Sequence, residues 1–304
     1  MKRLAIAVLA VAALAGCTEN ISQPKDNPEE EAVPVTLSAG IGTDVPMNAP
    51  TKAPVESTDN FIAAVGGWTT NGTVDYAQDT TWFSRTSSIA GNAKQAPVTL
   101  TPAQVYEPDD AYKTYMKAWY PDSLPTGGEV SFPNADGSVD VMLASEIVGS
   151  KWDKEGKELV FNHLTTQLKF NLVDKSLVLP TTVEYIRIKG AELPVGIDLT
   201  ADALICSPAA DLDVPEAAGV AITEEGVLAG QPVMIRPMDG NTVTLDIKTD
   251  NALYEGVTAT IDGDASFLPG KAYTITLNFI QEEVELTATV TEWDNTGKGS
   301  GTIL

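Results

Sequence analysis

The sequence predicts an all-β protein built from β-sandwiches, and three observations support this class. Runs of alternating or continuous apolar residues, short enough to be strands, occur almost everywhere after residue 60. Segments that supply Gly, Asn or Asp to turns separate them, as in "TNGT", "NADG", "MDGN", "IDGD" and "LPGK". No amphipathic helix longer than about three turns is evident, whereas soluble domains are roughly one-third helical. With 304 residues, the chain is long enough for two domains of ordinary size or for one large all-β domain.

The first 16 residues have the composition of an export signal. Lys2 and Arg3 precede an apolar run from Leu4 to Leu14, which is too short to span a bilayer. The sequence "LAGC" that ends at Cys17 resembles the lipobox of bacterial lipoproteins. The alternative is an ordinary signal peptide followed by a cysteine that is there by chance, and the order of Leu14, Ala15 and Gly16 favours the lipobox. We therefore expect residues 1–16 to be removed and Cys17 to carry a lipid anchor that holds the protein to a membrane.

An isolated strand follows the signal. Residues 17–32 are polar, acidic and proline-bearing, which predicts a disordered tether. Residues 32–41 then form a short apolar strand with one face made of Val33, Val35, Leu37 and Ala39. A second loose, proline-spaced stretch, 42–60, separates this strand from the rest of the chain.

The remaining strand runs predict two domains in tandem. The first set of runs covers residues 61–68, 96–102, 115–121, 138–145 and 159–173. The second set covers residues 183–193, 231–237, 241–249, 257–261 and 271–280. The run 159–173 reads as one long strand, with Leu164, Leu168, Phe170 and Leu172 on one face, and it is a natural border between domains. We place an N-terminal domain at 33–174 and a C-terminal domain at 175–304.

The last strand run, residues 284–293, alternates strictly. Val284, Leu286, Ala288 and Val290 form its apolar face. It can close its own domain as the hairpin partner of 271–280, which we favour because only a short turn separates the two runs. It can also be donated to the groove of a neighbouring molecule, since its length and alternation suit both roles.

Composition excludes several classes of function. The formal charge of −23 rules out binding to the phosphate backbone of nucleic acids. The single histidine, His163, cannot build a multi-histidine metal site, and no serine or cysteine in a signature context accompanies it. Once Cys17 is lipidated, only Cys206 remains, so no intramolecular disulfide is available. We expect no enzyme activity, no cofactor and no metal.

Several stretches together resemble the fimbrillins of type V pili, the Mfa-like and FimA-like pilins of Gram-negative anaerobes. The lipobox at Cys17 suits the export route of that family. The similar stretches are "APTKAPVESTDNFIAAVGGW", "YMKAWYP", "FNHLTTQLKFNL", "FLPGKAYTITLNF" and "VTEWDNTGKGSG". The order and spacing of these stretches match the family over residues 14–300.

The resemblance implies two transthyretin-like, Greek-key β-sandwich domains and a structural role in a fimbrium. In such a family, the subunit reaches the outer membrane as a lipoprotein, and a trypsin-like protease then removes the lipid with the first strand. The open groove accepts a strand from the next subunit, so that the fibre grows by β-strand addition and supports cell adhesion. The implied partners are other pilin subunits, the lipid anchor before maturation, and a receptor on a host or bacterial surface.

The chain departs from the best-known members of that family at the cleavage step. No arginine lies between residues 18 and 84, so the candidate cleavage sites are Lys52 and Lys25. Without cleavage, the protein would remain a lipid-bearing anchor. Tip, stalk and anchor positions therefore all stay open at this point.

The main alternative is a surface lipoprotein of β-sandwich domains that binds glycans. Such a protein would need two or more exposed aromatic side chains on one loop face. The five tryptophans are the candidates for this role, although core packing is the default for most: Trp68, Trp82, Trp119, Trp152 and Trp293. A secreted hydrolase is the third class, and no motif singles out its carboxylates.

Overall fold

The computed structural model describes residues 32–42, 59–177, 179–261, 266–280 and 283–292. These residues form strands, turns and loops and contain no α-helix, so the predicted all-β class is confirmed. Within these ranges, no helix has the length and apolar character needed to cross a membrane. Cys17, Lys25, Lys52 and Trp293 lie outside the described residues.

The strands are short and numerous. In the N-terminal half they are β1 (Leu37–Ile41), β2 (Asn60–Phe61), β3 (Ala64–Thr70), β4 (Trp82–Thr86), β5 (Ile89–Ala90), β6 (Ala96–Val98), β7 (Leu100–Thr101), β8 (Lys113–Tyr120), β9 (Pro125–Thr126), β10 (Glu129–Ser131), β11 (Met142–Ala144), β12 (Ile147–Gly149) and β13 (Glu158–His163). In the C-terminal half they are β14 (Thr166–Asp174), β15 (Val183–Ala191), β16 (Pro194–Asp198), β17 (Ala203–Cys206), β18 (Ala210–Asp213), β19 (Val227–Leu228), β20 (Val233–Ile235), β21 (Thr242–Thr249), β22 (Leu253–Thr260), β23 (Lys271–Ile280) and β24 (Glu283–Glu292).

A nine-stranded sheet organises the N-terminal half. Its strand order is β6-β1-β13-β11-β8-β3-β4-β7, and β12 also pairs with β8. All of its pairings are antiparallel except that of β1 with β13, which is parallel. The first strand therefore enters this sheet in a direction that no short hairpin connection could give.

Apolar side chains cover both faces of this sheet. Alternate residues of β3 and β8 point to opposite sides, so Val65 and Ala118 belong to one core cluster while Ala64 and Trp119 belong to another. The first cluster also contains the buried residues of β1. A sheet covered on both faces loses the polar–apolar alternation that marks a half-exposed strand.

The second face is covered partly by the C-terminal half. In the hairpin β16–β17, β16 pairs with β10, which pairs in turn with β9, so that the four strands form one sheet. Ile197 and Leu199 belong to the same core cluster as Trp119. The described residues from Ala32 onward group as one compact unit. The division into domains at 174–175 remains a prediction.

The C-terminal half is a sandwich of two sheets around one core. One sheet has the order β19-β14-β23-β24, with β20 also on β14, and the other has the order β18-β15-β21-β22. Buried residues of both sheets form a single cluster, which includes Phe170, Ile186, Leu245 and Phe279. This arrangement agrees with the predicted β-sandwich, whereas two tandem transthyretin-like domains stay a prediction.

The predicted single strand over residues 159–173 is wrong. The chain forms two strands there, β13 and β14, and passes from the nine-stranded sheet to the C-terminal sheet at Leu164 and Thr165. The buried apolar positions change parity at this point. They are the odd residues Leu159 and Phe161 before it and the even residues Leu168, Phe170 and Leu172 after it. A single straight strand cannot present both sets to one core.

Candidate functional site

The first-strand segment, residues 33–42, lies in a groove made by three other parts of the chain. At its beginning, the amide of Tyr106 donates to the carbonyl oxygen of Val33 at 2.9 Å. The amide of Val35 donates to the carbonyl oxygen of Gln104, also at 2.9 Å. Residues 104–106 therefore form the first wall of this groove.

Farther along, β1 is hydrogen-bonded on both sides. It pairs in parallel with β13, with Ala39 opposite Leu159, and antiparallel with β6, with Ala39 opposite Ala96. The segment ends with the amide of Gly42, which donates to the carbonyl oxygen of Phe161 at 2.8 Å. Removing the segment would leave main-chain donors and acceptors unpaired on two strands.

The apolar face of the segment is part of the core. Val35, Leu37, Ala39 and Ile41 are all at most 7% exposed, and Val33 packs against the same cluster while partly buried. Val33, Val35, Leu37 and Ala39 were predicted on this face from the sequence, whereas Ile41 was not. The same alternation would have found Ile41, because it is the next odd-numbered position of the strand.

Burial of these side chains represents a large part of the expected stability. A fully buried Val, Leu or Ile side chain contributes about 1.5–3 kcal/mol, so the three large ones together contribute roughly 5–9 kcal/mol. Small domains have net stabilities of about 5–15 kcal/mol. A molecule that lost this segment would therefore gain substantially from any strand that refilled the groove.

A strap, residues 91–95, crosses over the outer face of β1. The amide of Ile41 donates to the carbonyl oxygen of Ala93 at 2.9 Å. The side-chain amide of Gln95 donates to Oε2 of Glu158 on β13 at 3.2 Å. Glu158 lies opposite Ser38 across the parallel pairing, so the strap spans the first strand from one neighbouring strand to the other.

The strap approaches β1 most closely at Gly40. A β-carbon at Gly40 would lie 2.0 Å from the carbonyl oxygen of Lys94. Neither Gly40 nor Lys94 was predicted from the sequence to have a special role. A glycine between two apolar residues inside a strand was the available signal, because such a glycine often marks the close approach of another backbone.

The last strand closes the C-terminal sandwich. β24 pairs antiparallel with β23 along its whole length, from Glu283 opposite Ile280 to Glu292 opposite Lys271. Ala288 is 2% exposed, and Val284 and Leu286 are partly buried against the core. The side chain of Val290 is outside the described part. The pairing within the chain is the arrangement that the sequence analysis favoured.

His163 belongs to a buried polar group. Its Nδ1 lies 3.0 Å from Oδ2 of Asp140, and the hydroxyl of Thr165 donates to Oδ1 of the same carboxylate at 3.2 Å. The group lies where β13 ends and the chain crosses to the C-terminal sheet. Its members are therefore placed to fix that crossing. In the described ranges, no cluster of three or more His, Cys, Asp and Glu side chains could hold a metal ion.

The described tryptophans do not form an aromatic surface. Trp68 and Trp119 are buried and Trp82 is partly buried, whereas Trp152 is 76% exposed. The indole nitrogen of Trp152 donates to Oδ1 of Asp110 at 2.8 Å. Among residues of the described ranges, Trp152 is the single strongly exposed large aromatic side chain, so the requirement for two on one face is not met there.

Comparison with protein families gives one match over most of the chain. Residues 51–293 match the family described as Fimbrillin-like. The match begins after the first-strand segment. No curated protein matches the chain.

Solved structures share the fold at low sequence identity. A candidate cell adhesion protein from Bacteroides uniformis is 15% identical with a TM-score of 0.57, and the alignment covers 88% of this chain and 100% of that one. A second candidate cell adhesion protein, from Bacteroides ovatus, is 15% identical with a TM-score of 0.52 and coverages of 86% and 98%. Likeness at this identity establishes a shared fold only.

Proposed function

Because the chain belongs to the Fimbrillin-like family, we propose that it is a structural subunit of a pilus that is assembled by strand exchange. In this proposal, a protease cuts between the first-strand segment and residue 59. The segment then leaves with everything N-terminal to it, and a strand of another subunit enters the groove. Main-chain hydrogen bonds to β6 and β13 supply affinity, and the alternating apolar side chains supply register.

The observation that carries the proposal is the way the first strand is held. Among the described pairings of its sheet, the pairing of β1 with β13 is the only parallel one. The strand also places apolar side chains at alternate positions in a core that other strands complete. Residues 43–58 connect it to the rest of the chain and contain Lys52 among three prolines. One cut in this connection would turn the strand into a separate, exchangeable peptide.

The same proposal includes export and attachment. The signal at 1–16 directs the chain out of the cell, and Cys17 carries the lipid that holds it at the outer membrane until cleavage. Cleavage at Lys52 removes both the lipid and the strand, whereas cleavage at Lys25 removes the lipid and retains the strand. A chain cut only at Lys25 would be released with its groove filled.

The test is limited proteolysis of the unlipidated full chain with a lysine-specific protease under native conditions. We expect cleavage at Lys52, loss of the segment that contains residues 33–42, and a ladder of SDS-resistant oligomers when subunits with compatible strands are mixed. N-terminal mapping by mass spectrometry identifies the cut. The matched control is Lys52→Gln, which retains Lys25 and should keep its first strand.

The outcomes separate the candidate roles. Cleavage with a ladder from this chain alone indicates a stalk subunit, and cleavage with a ladder only in the presence of other subunits indicates a tip or junction subunit. A chain that keeps its first strand under all of these conditions contradicts strand exchange and favours an anchor.

A further inference from the structure

The contact between the strap and Gly40 is one of backbone with backbone. A β-carbon placed on Gly40 would lie 2.0 Å from the oxygen and 2.4 Å from the carbon of the Lys94 carbonyl group, and 2.8 Å from the carbonyl oxygen of Ala93. No side-chain rotation relieves such an overlap. Any residue other than glycine at this point requires the strap itself to move.

The strap is fixed at both of its ends and at its middle. The amide of Gly91 donates to the carbonyl oxygen of Asp59 at 2.7 Å, and the amide of Ala93 donates to that of Ala90 at 2.9 Å. β6 follows the strap directly and pairs with β1 from Leu37 to Ala39. Moving the strap away from β1 therefore disturbs hydrogen bonds on the strap itself and in the sheet.

We propose that the strap selects the strand that replaces the first one, by requiring a glycine beneath the Lys94 carbonyl group. This inference rests on the proposed exchange and names its partner. The incoming strand has apolar residues at alternate positions facing the core, and a glycine on its outer face between the two apolar residues that take the places of Ala39 and Ile41. The requirement holds for either strand direction, because only the residue under the strap matters.

The closing strand of a second copy does not meet this requirement. None of residues 283–292 is glycine, so every register that puts one of these residues beneath the strap also puts a β-carbon there. With its apolar face toward the core, the residue under the strap would be a threonine or a glutamate. β24 of a second copy is therefore excluded as the fitting strand, so this chain alone should form no homopolymer through β24, and we assign the incoming strand to a different subunit.

The inference is tested with the full chain in which residues 49–54 are replaced by the recognition site of a sequence-specific protease. After cleavage, fluorescently labelled peptides are added in excess, and the bound fraction is measured by gel filtration. The peptides are "VPVTLSAGIG" (33–42), the same with Gly40→Ala, the same with Ser38→Ala as matched control, and "EVELTATVTE" (283–292). Ser38 shares the outer face of β1 with Gly40.

We expect the native and Ser38→Ala peptides to enter the groove. The Gly40→Ala peptide should bind about tenfold or more weakly, and the closing-strand peptide should bind at least as weakly as that. Equal entry of the native and Gly40→Ala peptides would overturn the inference while leaving strand exchange intact. Failure of every peptide to enter, the native one included, would instead overturn the proposed exchange.

A second measurement examines the strap without any exchange. The uncut full chain is compared with its Gly40→Ala and Ser38→Ala variants by urea denaturation. We expect the urea concentration at the midpoint of unfolding to be clearly lower for Gly40→Ala than for the parent chain, and nearly unchanged for Ser38→Ala. Equal stability of the two variants would show that the strap accepts a β-carbon, which contradicts the selection of glycine whatever the peptides do.

Discussion

The ammonium group of Lys117 lies 2.5 Å from Oδ1 of Asp202, and it joins the two halves of the molecule. Lys117 is on β8 of the nine-stranded sheet, and its side chain is 4% exposed. The ammonium also donates to the carbonyl oxygen of Leu199 at 2.6 Å and lies 4.0 Å from the centre of the Tyr76 ring. The turn between β16 and β17 thus supplies the partners of a buried cation from the other half.

Asp202→Asn should weaken this connection. The asparagine keeps the positive φ of 53° at this position but removes the charge opposite Lys117. Because the carboxylate is 54% exposed, we expect a loss of about 1 kcal/mol in the free energy of unfolding, measured by urea denaturation. Glu129→Gln, an exposed carboxylate on the neighbouring β10, is the control. If both changes lowered the free energy of unfolding equally, the contact between Lys117 and Asp202 would not stabilise the connection between the two halves.

Leu37→Ala should destabilise the uncut chain strongly. Leu37 is 5% exposed and packs in the core with Phe161 and Met142, so its truncation leaves a cavity. We expect a loss of about 2–5 kcal/mol in the free energy of unfolding, measured by urea denaturation. Ser38→Ala, one residue along on the outer face, should cost less than about 0.5 kcal/mol. If both variants unfolded alike, the first-strand segment would not be part of the cooperative fold.

The closing hairpin could be predicted from the sequence almost to the residue. The predicted runs 271–280 and 284–293 correspond to β23 (Lys271–Ile280) and β24 (Glu283–Glu292), and residue 293 lies outside the described ranges. Strict alternation located them because the core lies on one side of each strand. Gly270 in "LPGK" has a φ of +69°, a conformation that favours glycine, so the start of the hairpin was also encoded locally.

The crossing between β13 and β14 could not be predicted in this way. Gln167 and Lys169 are buried on the face opposite Leu168 and Phe170, so β14 has no exposed face to mark its orientation. Polar residues on a buried face look like the outer side of a half-exposed strand. The sequence therefore suggested one continuous strand where two exist.

The groove was only half predictable for a similar reason. Its occupant has a local signature, the alternation of Val35, Leu37 and Ala39. Its walls come from β6, β13 and residues 104–106, which are distant in sequence and recognisable only when the chain is folded. The pairing of β16 with β10 is equally non-local, with Ile197 opposite Val130.

Cys206 should react slowly with iodoacetamide. Its thiol is half-buried in β17, and this burial raises its pKa, with a smaller raising effect from Glu192 and an opposing effect from Arg236. The thiolate is the reactive form, so the alkylation rate at pH 8 should be several-fold below the rate in urea and should keep rising at higher pH. A Cys17→Ser chain leaves a single thiol for mass spectrometry. Equal rates with and without urea would contradict a protected thiol.

Tyr106→Phe should protect the chain against alkaline unfolding. Tyr106 is 3% exposed and lies at the start of the groove, where its ring packs beside Gly149. Burial first, and the charge of Asp153 second, raise the pKa of its phenol to about 12. An unfolded tyrosine has a pKa of about 10. Above pH 10 the unfolded chain therefore releases this proton while the folded chain keeps it, so stability falls as the pH rises.

The expected contribution of Tyr106 to this loss is about 1 kcal/mol between pH 9 and pH 11. Burial also raises the pKa values of Tyr76 and Tyr120. The parent chain therefore loses more stability between pH 9 and pH 11 than Tyr106 alone accounts for. The difference between the parent and Tyr106→Phe, measured by urea denaturation at both pH values, isolates the contribution of Tyr106.

At pH 7 the variant should be at least as stable as the parent, because the Tyr106 hydroxyl has no hydrogen-bond partner within the described ranges. Tyr112→Phe, on a partly exposed side chain, is the control and should follow the parent at both pH values.

A Tyr106→Phe chain with the same alkaline loss of stability as the parent would show that the phenol ionises as easily in the folded protein as in the unfolded one. The wall of the groove at residues 104–106 would then be open to solvent, and the first-strand segment would be less firmly held than its hydrogen bonds to Gln104 and Tyr106 indicate.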